Sequence, residues 1–169
     1  MNSRAKMLGM NGTVYTDCTG MGEGNVTTAN DTALLCSELA KYKNLTPYLT
    51  CWLDTVRDGK AELVNLNRLV RTYKGVTGMK AWGSEKAGSC IAATAEKGDM
   101  SVCVVLNGCD SQEDMNAEAK KLLNLAFDTY EIYTPELPED MVKETVVCGG
   151  EELSVELAPE GLYPIVIPR

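Results

Sequence analysis

Few residues in this chain are equipped for chemistry. There is no histidine, and there are seven cysteines: Cys18, Cys36, Cys51, Cys90, Cys103, Cys109 and Cys148. Without an imidazole, Ser-His-Asp and Cys-His catalysis are excluded, and so are most zinc sites built on histidine. The cysteine count is odd and no C-x-x-C pair occurs. Free, mostly buried thiols are therefore expected, with no metal and no cofactor. Cys90 or Cys109 as a nucleophile would lack a histidine base. What remains is Lys80, in the stretch "YKGVTGMKAWGSEKAGSC", followed by the unusual pair Ala81-Trp82. A lysine is the kind of local cation an anionic substrate would need on an acidic chain.

The elements that position Lys80 follow from pattern. Gly75 and Gly78 open the strand "TGMKAWG"; "SCIAATAE" and "MSVCVVLNG" are apolar and rich in β-branched residues; "KGD" between them reads as a hairpin turn. Residues Gly75 to Leu106 thus read as three antiparallel strands. Ser111 with Asp114 resembles a capping box. Behind it Met115, Ala119, Leu122, Leu123, Ala126 and Tyr130 follow helical spacing, for a long helix over one sheet face.

Upstream, Asn2 to Leu8 suggests a short helix, and a chain starting in mid-helix suggests a missing front end. A Gly-, Asn- and Thr-rich irregular segment follows. Thr27, Thr28, Asn30 and Asp31 offer N-cap chemistry to a helix reaching about Tyr42, with Leu34, Leu35 and Leu39 on its buried side. "CWLDTVRDGKAELVNLNRLV" reads as a strand or extended turn, then a short helical piece around Asn67 to Val70. Past Tyr133, "TPELPED" is a Pro-rich acidic joint. The tail beyond it, with Leu153, Val155 and Leu157 alternating with polar residues, reads as three short strands of a small all-β module.

The chain has 169 residues, 44% hydrophobic and 24% charged, with a net charge of −8. That is a globular composition, sized for one domain plus an appendage. An acidic surface excludes nucleic acid as a partner, and an anionic ligand would need a local cation against the background field. The first ten residues have no apolar segment of signal-peptide length, and no run approaches a membrane span.

The blocks "MNSRAKMLGMNGT", "NVTTANDTALLCSELAKY", "CWLDTVRDGK", "NLNRLVRTYKGVTGMK", "SEKAGSCIAATAEKGDMSVCVVLNG" and "AKKLLNLAFDTYEIYTP" occur in consistent order and spacing. In this the chain resembles the serine-type D-alanyl-D-alanine carboxypeptidases, the low-molecular-mass penicillin-binding proteins (peptidase S11-like). The resemblance implies an α+β fold. Residues 1–133 would be the C-terminal part of a β-lactamase/transpeptidase-like catalytic domain, an antiparallel sheet covered by helices. Residues 134–169 would begin a small β-rich C-terminal domain. It also implies a hydrolase of the cell envelope, exported from the cytoplasm, that trims peptidoglycan stem peptides, with D-Ala-D-Ala peptides or β-lactams as partners.

Such enzymes use three motifs, S-x-x-K, S-x-N and K-T-G. The serine attacks the D-Ala-D-Ala carbonyl, its lysine assists proton transfer, and the K-T-G strand holds the terminal carboxylate. Gly75, Gly78, Met79 and Lys80 match the K-T-G strand, and Ala87-Gly88 falls at the family offset from the lysine. The motif threonine is therefore Ala81 and its glycine Trp82. Losing a hydroxyl donor to an anion costs about 1.5–3 kcal/mol. Strand alternation puts Lys80 and Trp82 on one face, so the indole would occupy space the substrate needs, as a packing residue of a disused pocket.

The S-x-x-K and S-x-N segments would lie before Met1, so no catalytic residue is assigned within the chain, and inactivity alone is expected. "SRAK", Ser3 to Lys6, has the spacing of one helical turn but occupies a later helix in the family register; it and the Y-x-N-like "YKN", Tyr42 to Asn44, are read as coincidences. The resemblance further implies an unpaired edge beside "SVCVVL" and an exposed apolar face. The isolated chain is expected to be destabilised or to pair with another copy. The alternatives are a non-catalytic peptidoglycan-binding or interaction module, and a fragment that complements a separate N-terminal part.

Overall fold

Gly98, with φ +61, turns the chain between Lys97 and Met100, and from that tight turn a three-stranded antiparallel sheet grows. Its strands are β3 (Val76–Ser84), β4 (Gly88–Lys97) and β5 (Met100–Cys109), in the order β3-β4-β5. The structure, a computed structural model, describes residues 1–20, 22–136, 143–151, 154–157 and 162–169. It divides into two units, Met1–Phe127 and Asp128–Arg169.

In the first unit, the core is built on β4. Residues Cys90 to Ala95 are all buried, so both faces of this central strand are covered. One face takes α5 (Gln112–Thr129), through Met115, Ala119, Leu123 and Phe127 against Ala81, Ile91, Ala93, Ala95 and Val104. Burying a side chain such as Leu123 or Ile91 is worth about 1.5–3 kcal/mol. The Ser111 box starts the helix as the sequence suggests: its Oγ accepts from Asp114 N–H at 3.0 Å and donates to Asp114 Oδ2 at 2.7 Å. Two readings of the helical spacing change. Leu122 is 38% exposed, because the stripe facing the sheet is set by the four-residue steps through Met115, Ala119, Leu123 and Phe127. Tyr130 belongs to a strand rather than to the helix.

The opposite face takes α2 (Ala29–Leu39), which follows a short α1 (Asn2–Met7) and an irregular segment. Thr28 caps α2, its hydroxyl accepting from Asp31 N–H at 3.1 Å. Asp31 is buried and ties the irregular segment to the helix start, accepting from Gly12 N–H at 2.8 Å and from Thr13 Oγ at 2.6 Å. Those donors, Thr13 first, hold its carboxyl below the ordinary range. Asp17 is likewise held well down by Thr19, Asn25 and Gly20. α1 is tied to α2 by Arg4 with Glu38 at 2.6 Å.

The buried side of α2 is Asp31, Thr32 and Cys36. Leu34 is exposed, and Leu35 and Leu39 are half-buried. Of the expected leucines, Leu39 packs with Cys36 against the sheet, while Leu34 stays outside. The helix ends at Leu39, short of Tyr42; a 3-10 turn (Lys43–Leu45) and α3 (Thr46–Leu49) follow.

The stretch after α3 is a hairpin where the sequence suggested a strand or extended turn. β1 (Leu53–Val56) pairs antiparallel with β2 (Ala61–Val64) across a turn in which Arg57, Asp58 and Gly59 all have positive φ. Asp58-Gly59 supplied that turn signal. α4 (Leu69–Thr72) then leads into β3.

In the second unit, β6 (Tyr130–Tyr133) pairs antiparallel with β9 (Ile165–Pro168), and β7 (Lys143–Val146) with β8 (Ser154–Leu157). The three strands expected in the tail correspond to β7, β8 and β9. Leu153 and much of the Pro-rich acidic joint lie outside the described residues.

Candidate functional site

Strand β3 is held at its entry by a buried side chain that the sequence did not single out. Asn67 has no exposed surface; its Nδ2 donates to Gly78 O at 3.3 Å and its Oδ1 accepts from Leu69 N–H at 3.1 Å. Its N–H donates in turn to Asn65 Oδ1 at 2.9 Å. An asparagine two residues before a short helix was the available signal. On the neighbouring strand, Thr94 is bonded to Thr77 through their hydroxyls at 2.9 Å.

Lys80 pairs with Ala92, Ala81 with Ile91 and Trp82 with Cys90. Lys80 is exposed, and its ammonium makes no hydrogen bond or ion pair among the described residues. Ala81 is 3% exposed and belongs to the core beneath α5. Trp82 is half-buried and packs against the opposite cluster, formed by Cys36, Met79 and Ala92. The alternation read from the sequence is therefore present: Ala81 faces one layer, Trp82 and the Lys80 partner Ala92 the other.

The turn after β3 shows what Ala87-Gly88 does locally. Ala87 N–H donates to Ser84 Oγ at 3.1 Å, and Gly88 has φ +65. A Cβ on Gly88 would sit 2.9 Å from Cys109 O and 3.0 Å from Gly108 Cα. Only glycine allows that approach of two backbones.

A shallow pocket beside β3 is lined by Leu39, Tyr42, Leu49, Thr77 and Met79 among others, and neither Lys80 nor Trp82 contributes to it. Lys43, of the "YKN" stretch, pairs instead with Glu96 at the end of β4. Ser3 and Lys6 are both exposed on α1, and no hydrogen bond among the described residues joins a serine to a lysine.

Neither Cys90 nor Cys109 has a histidine to serve as its base. Cys90 is 2% exposed, with its thiol toward Ala87 O at 3.4 Å. Burial, then Cys90 and the acidic Asp110, Asp114 and Glu118, push the Cys109 thiol up. A raised thiol is a poor nucleophile at neutral pH. Among the described residues no group of three or more acidic or cysteine side chains is placed to hold a metal ion. No described helix is long and apolar enough to cross a membrane.

The site is thus an exposed lysine on an edge strand, with an alanine turned inward and an indole beside it. A lysine so placed can hold an anion. The sequence profile of the D-alanyl-D-alanine carboxypeptidase family, peptidase S11, matches residues 1–110, and the chain belongs to that family. It is 35% identical over 161 residues to the D-alanyl-D-alanine carboxypeptidase DacF of Bacillus subtilis, covering 93% of this chain and 41% of the relative. With DacC of Escherichia coli it shares 30% over 171 residues, covering all of this chain and 42% of the relative. The chain therefore spans about two fifths of these curated relatives.

Among solved structures, penicillin-binding protein 5 of Haemophilus influenzae superposes with a TM-score of 0.83 at 23% identity, over 99% of this chain and 49% of that one. Penicillin-binding protein D2 of Listeria monocytogenes, in its cefotaxime-bound form, gives 0.68 at 27% identity, over 75% and 53%. The expected α+β, transpeptidase-like fold is present, with small sheets at the C-terminal end.

Proposed function

We propose that this chain supplies one wall of the substrate cleft of a D-Ala-D-Ala carboxypeptidase, in a form altered so that the 169 residues alone neither hydrolyse D-Ala-D-Ala peptides nor take up β-lactams. The observation that carries this reading is the Lys80-Ala81-Trp82 geometry. At the K-T-G position only the lysine remains free for a ligand; residue 81 is buried under α5, and residue 82 is an indole packed on the lysine's face. Residues 134–169 are the start of the small β-rich domain, and the whole enzyme works outside the cytoplasm on the cell wall.

Listeria penicillin-binding protein D2 has been obtained with cefotaxime and with ampicillin bound, which makes a labelled β-lactam the direct probe. Incubated with fluorescent penicillin and then denatured, this chain is expected to carry no covalent label. A stoichiometric label that survives denaturation overturns the reading.

The free ammonium of Lys80 favours a second reading, non-catalytic recognition of the peptide carboxylate. Titration with a D-Ala-D-Ala peptide decides it. Saturable binding weakened by Lys80→Ala supports recognition; no binding, or binding indifferent to that substitution, removes it.

A further inference from the structure

Two thiols far apart in sequence meet on the sheet face that carries Trp82. Cys36, 4% exposed, sits on the buried side of α2. Cys103 lies on β5, paired with Thr94, and packs against the cluster of Cys36, Met79 and Ala92. Leu39, Leu49 and Trp82 pack against the same cluster. Both thiols are free, and they lie in one packed cluster between α2 and β5.

A buried cysteine ordinarily behaves as a small hydrophobe. A second thiol in contact changes that, because a disulfide forms where two Cβ atoms already stand close and point together. We propose that Cys36 and Cys103 are a redox-reversible pair whose disulfide ties α2 to β5 across the face bearing Trp82. This goes beyond the carboxypeptidase reading and does not depend on it.

The oxidant is a small dialkyl disulfide. The Cys36 thiolate attacks one of its sulfurs and expels one thiolate, which takes up a proton. Cys103 then loses its proton, and its sulfur attacks Cys36 Sγ and expels the second small thiol. Two protein thiols are oxidised and one disulfide is reduced to two thiols.

The order of attack follows from the environment: the neighbouring Cys103 lowers the Cys36 pKa, while Cys36 and burial raise that of Cys103. Because Cys36 is buried, the rate depends on local opening of α2 from the sheet. The exposed Cys18, Cys51 and Cys148 have no such constraint and form mixed adducts instead.

The native chain is equilibrated with oxidised and reduced glutathione, quenched with iodoacetamide, and digested with trypsin and a Glu-specific protease, which cuts after Glu23 and so separates Cys18 from Cys36. The expected product is a crosslinked peptide pair joining Cys36 to Cys103. It should be accompanied by a rise in Tm on the order of 5 °C, reversed by dithiothreitol and absent in Cys103→Ala. Alkylation of both thiols throughout the titration overturns the proposal, and so do glutathione adducts without the crosslink.

Discussion

Replacing Trp82 by glycine tests whether the indole is a packing residue. Full truncation of a buried aromatic side chain costs about 3–5 kcal/mol. Trp82 is half-buried, with contacts to the Cys36, Met79 and Ala92 cluster, so roughly half that, about 2 kcal/mol, is expected from the lost contacts. Glycine within a strand adds about 0.5–1 kcal/mol. A loss of about 2.5–3 kcal/mol corresponds to a Tm lowered by roughly 5–10 °C. Urea unfolding followed by circular dichroism reads it directly, as a lower midpoint at unchanged slope. Trp82→Phe keeps an aromatic ring on the same face and should recover more than half of the loss. A cost below about 0.5 kcal/mol, the range of ordinary surface substitutions, would show that the indole contributes no packing, and the account of this strand would fail with it.

The other expectations are simpler. Leu123→Ala empties the centre of the α5 contact and should cost about 2–5 kcal/mol in the same unfolding assay; a cost near zero would mean that α5 is not seated on the sheet. Ser111→Ala removes the α5 cap and should cost about 1 kcal/mol, with no change in the slope of the urea transition. Asp31 has a lowered folded pKa, so its contribution is present above its unfolded value near 4 and is lost as pH falls through the folded one. Stability measured from neutral pH downward should fall more steeply in the native chain than in Asp31→Asn, and parallel acid limbs would refute the role given to its partners.

Much of the sheet was readable because its signals are local. Gly98 sits at a two-residue turn, and the runs on either side are apolar and β-branched. The pairing of β3 with β4 was readable too, because the two strands meet across one short turn. Other features depend on partners distant in the chain. Tyr130 continues a helical period but pairs with Pro168, which no local pattern announces. Leu34 fits an apolar stripe, yet the face of α2 that meets the sheet is chosen by what lies opposite: small β4 residues and Cys103 accept Cys36 and leave the leucine outside. The hairpin at Asp58-Gly59 was signalled by its turn and obscured by strands that stay exposed, so they show no clean alternation.

The run of small side chains in the middle of β4 has a mechanical consequence. Ala92 meets the α2 side and Ala93 the α5 side, as neighbours on one strand. A methyl group in each direction leaves almost no compressible material between the two layers, and protein interiors are too densely packed to absorb displacement elsewhere. At that point the strand acts as a thin rigid membrane separating two compartments. Pressure from a bulkier group or a bound peptide on one side passes to the other with little damping. A probe on the exposed face of α5 should therefore register events on the lysine's side of the sheet that it cannot touch.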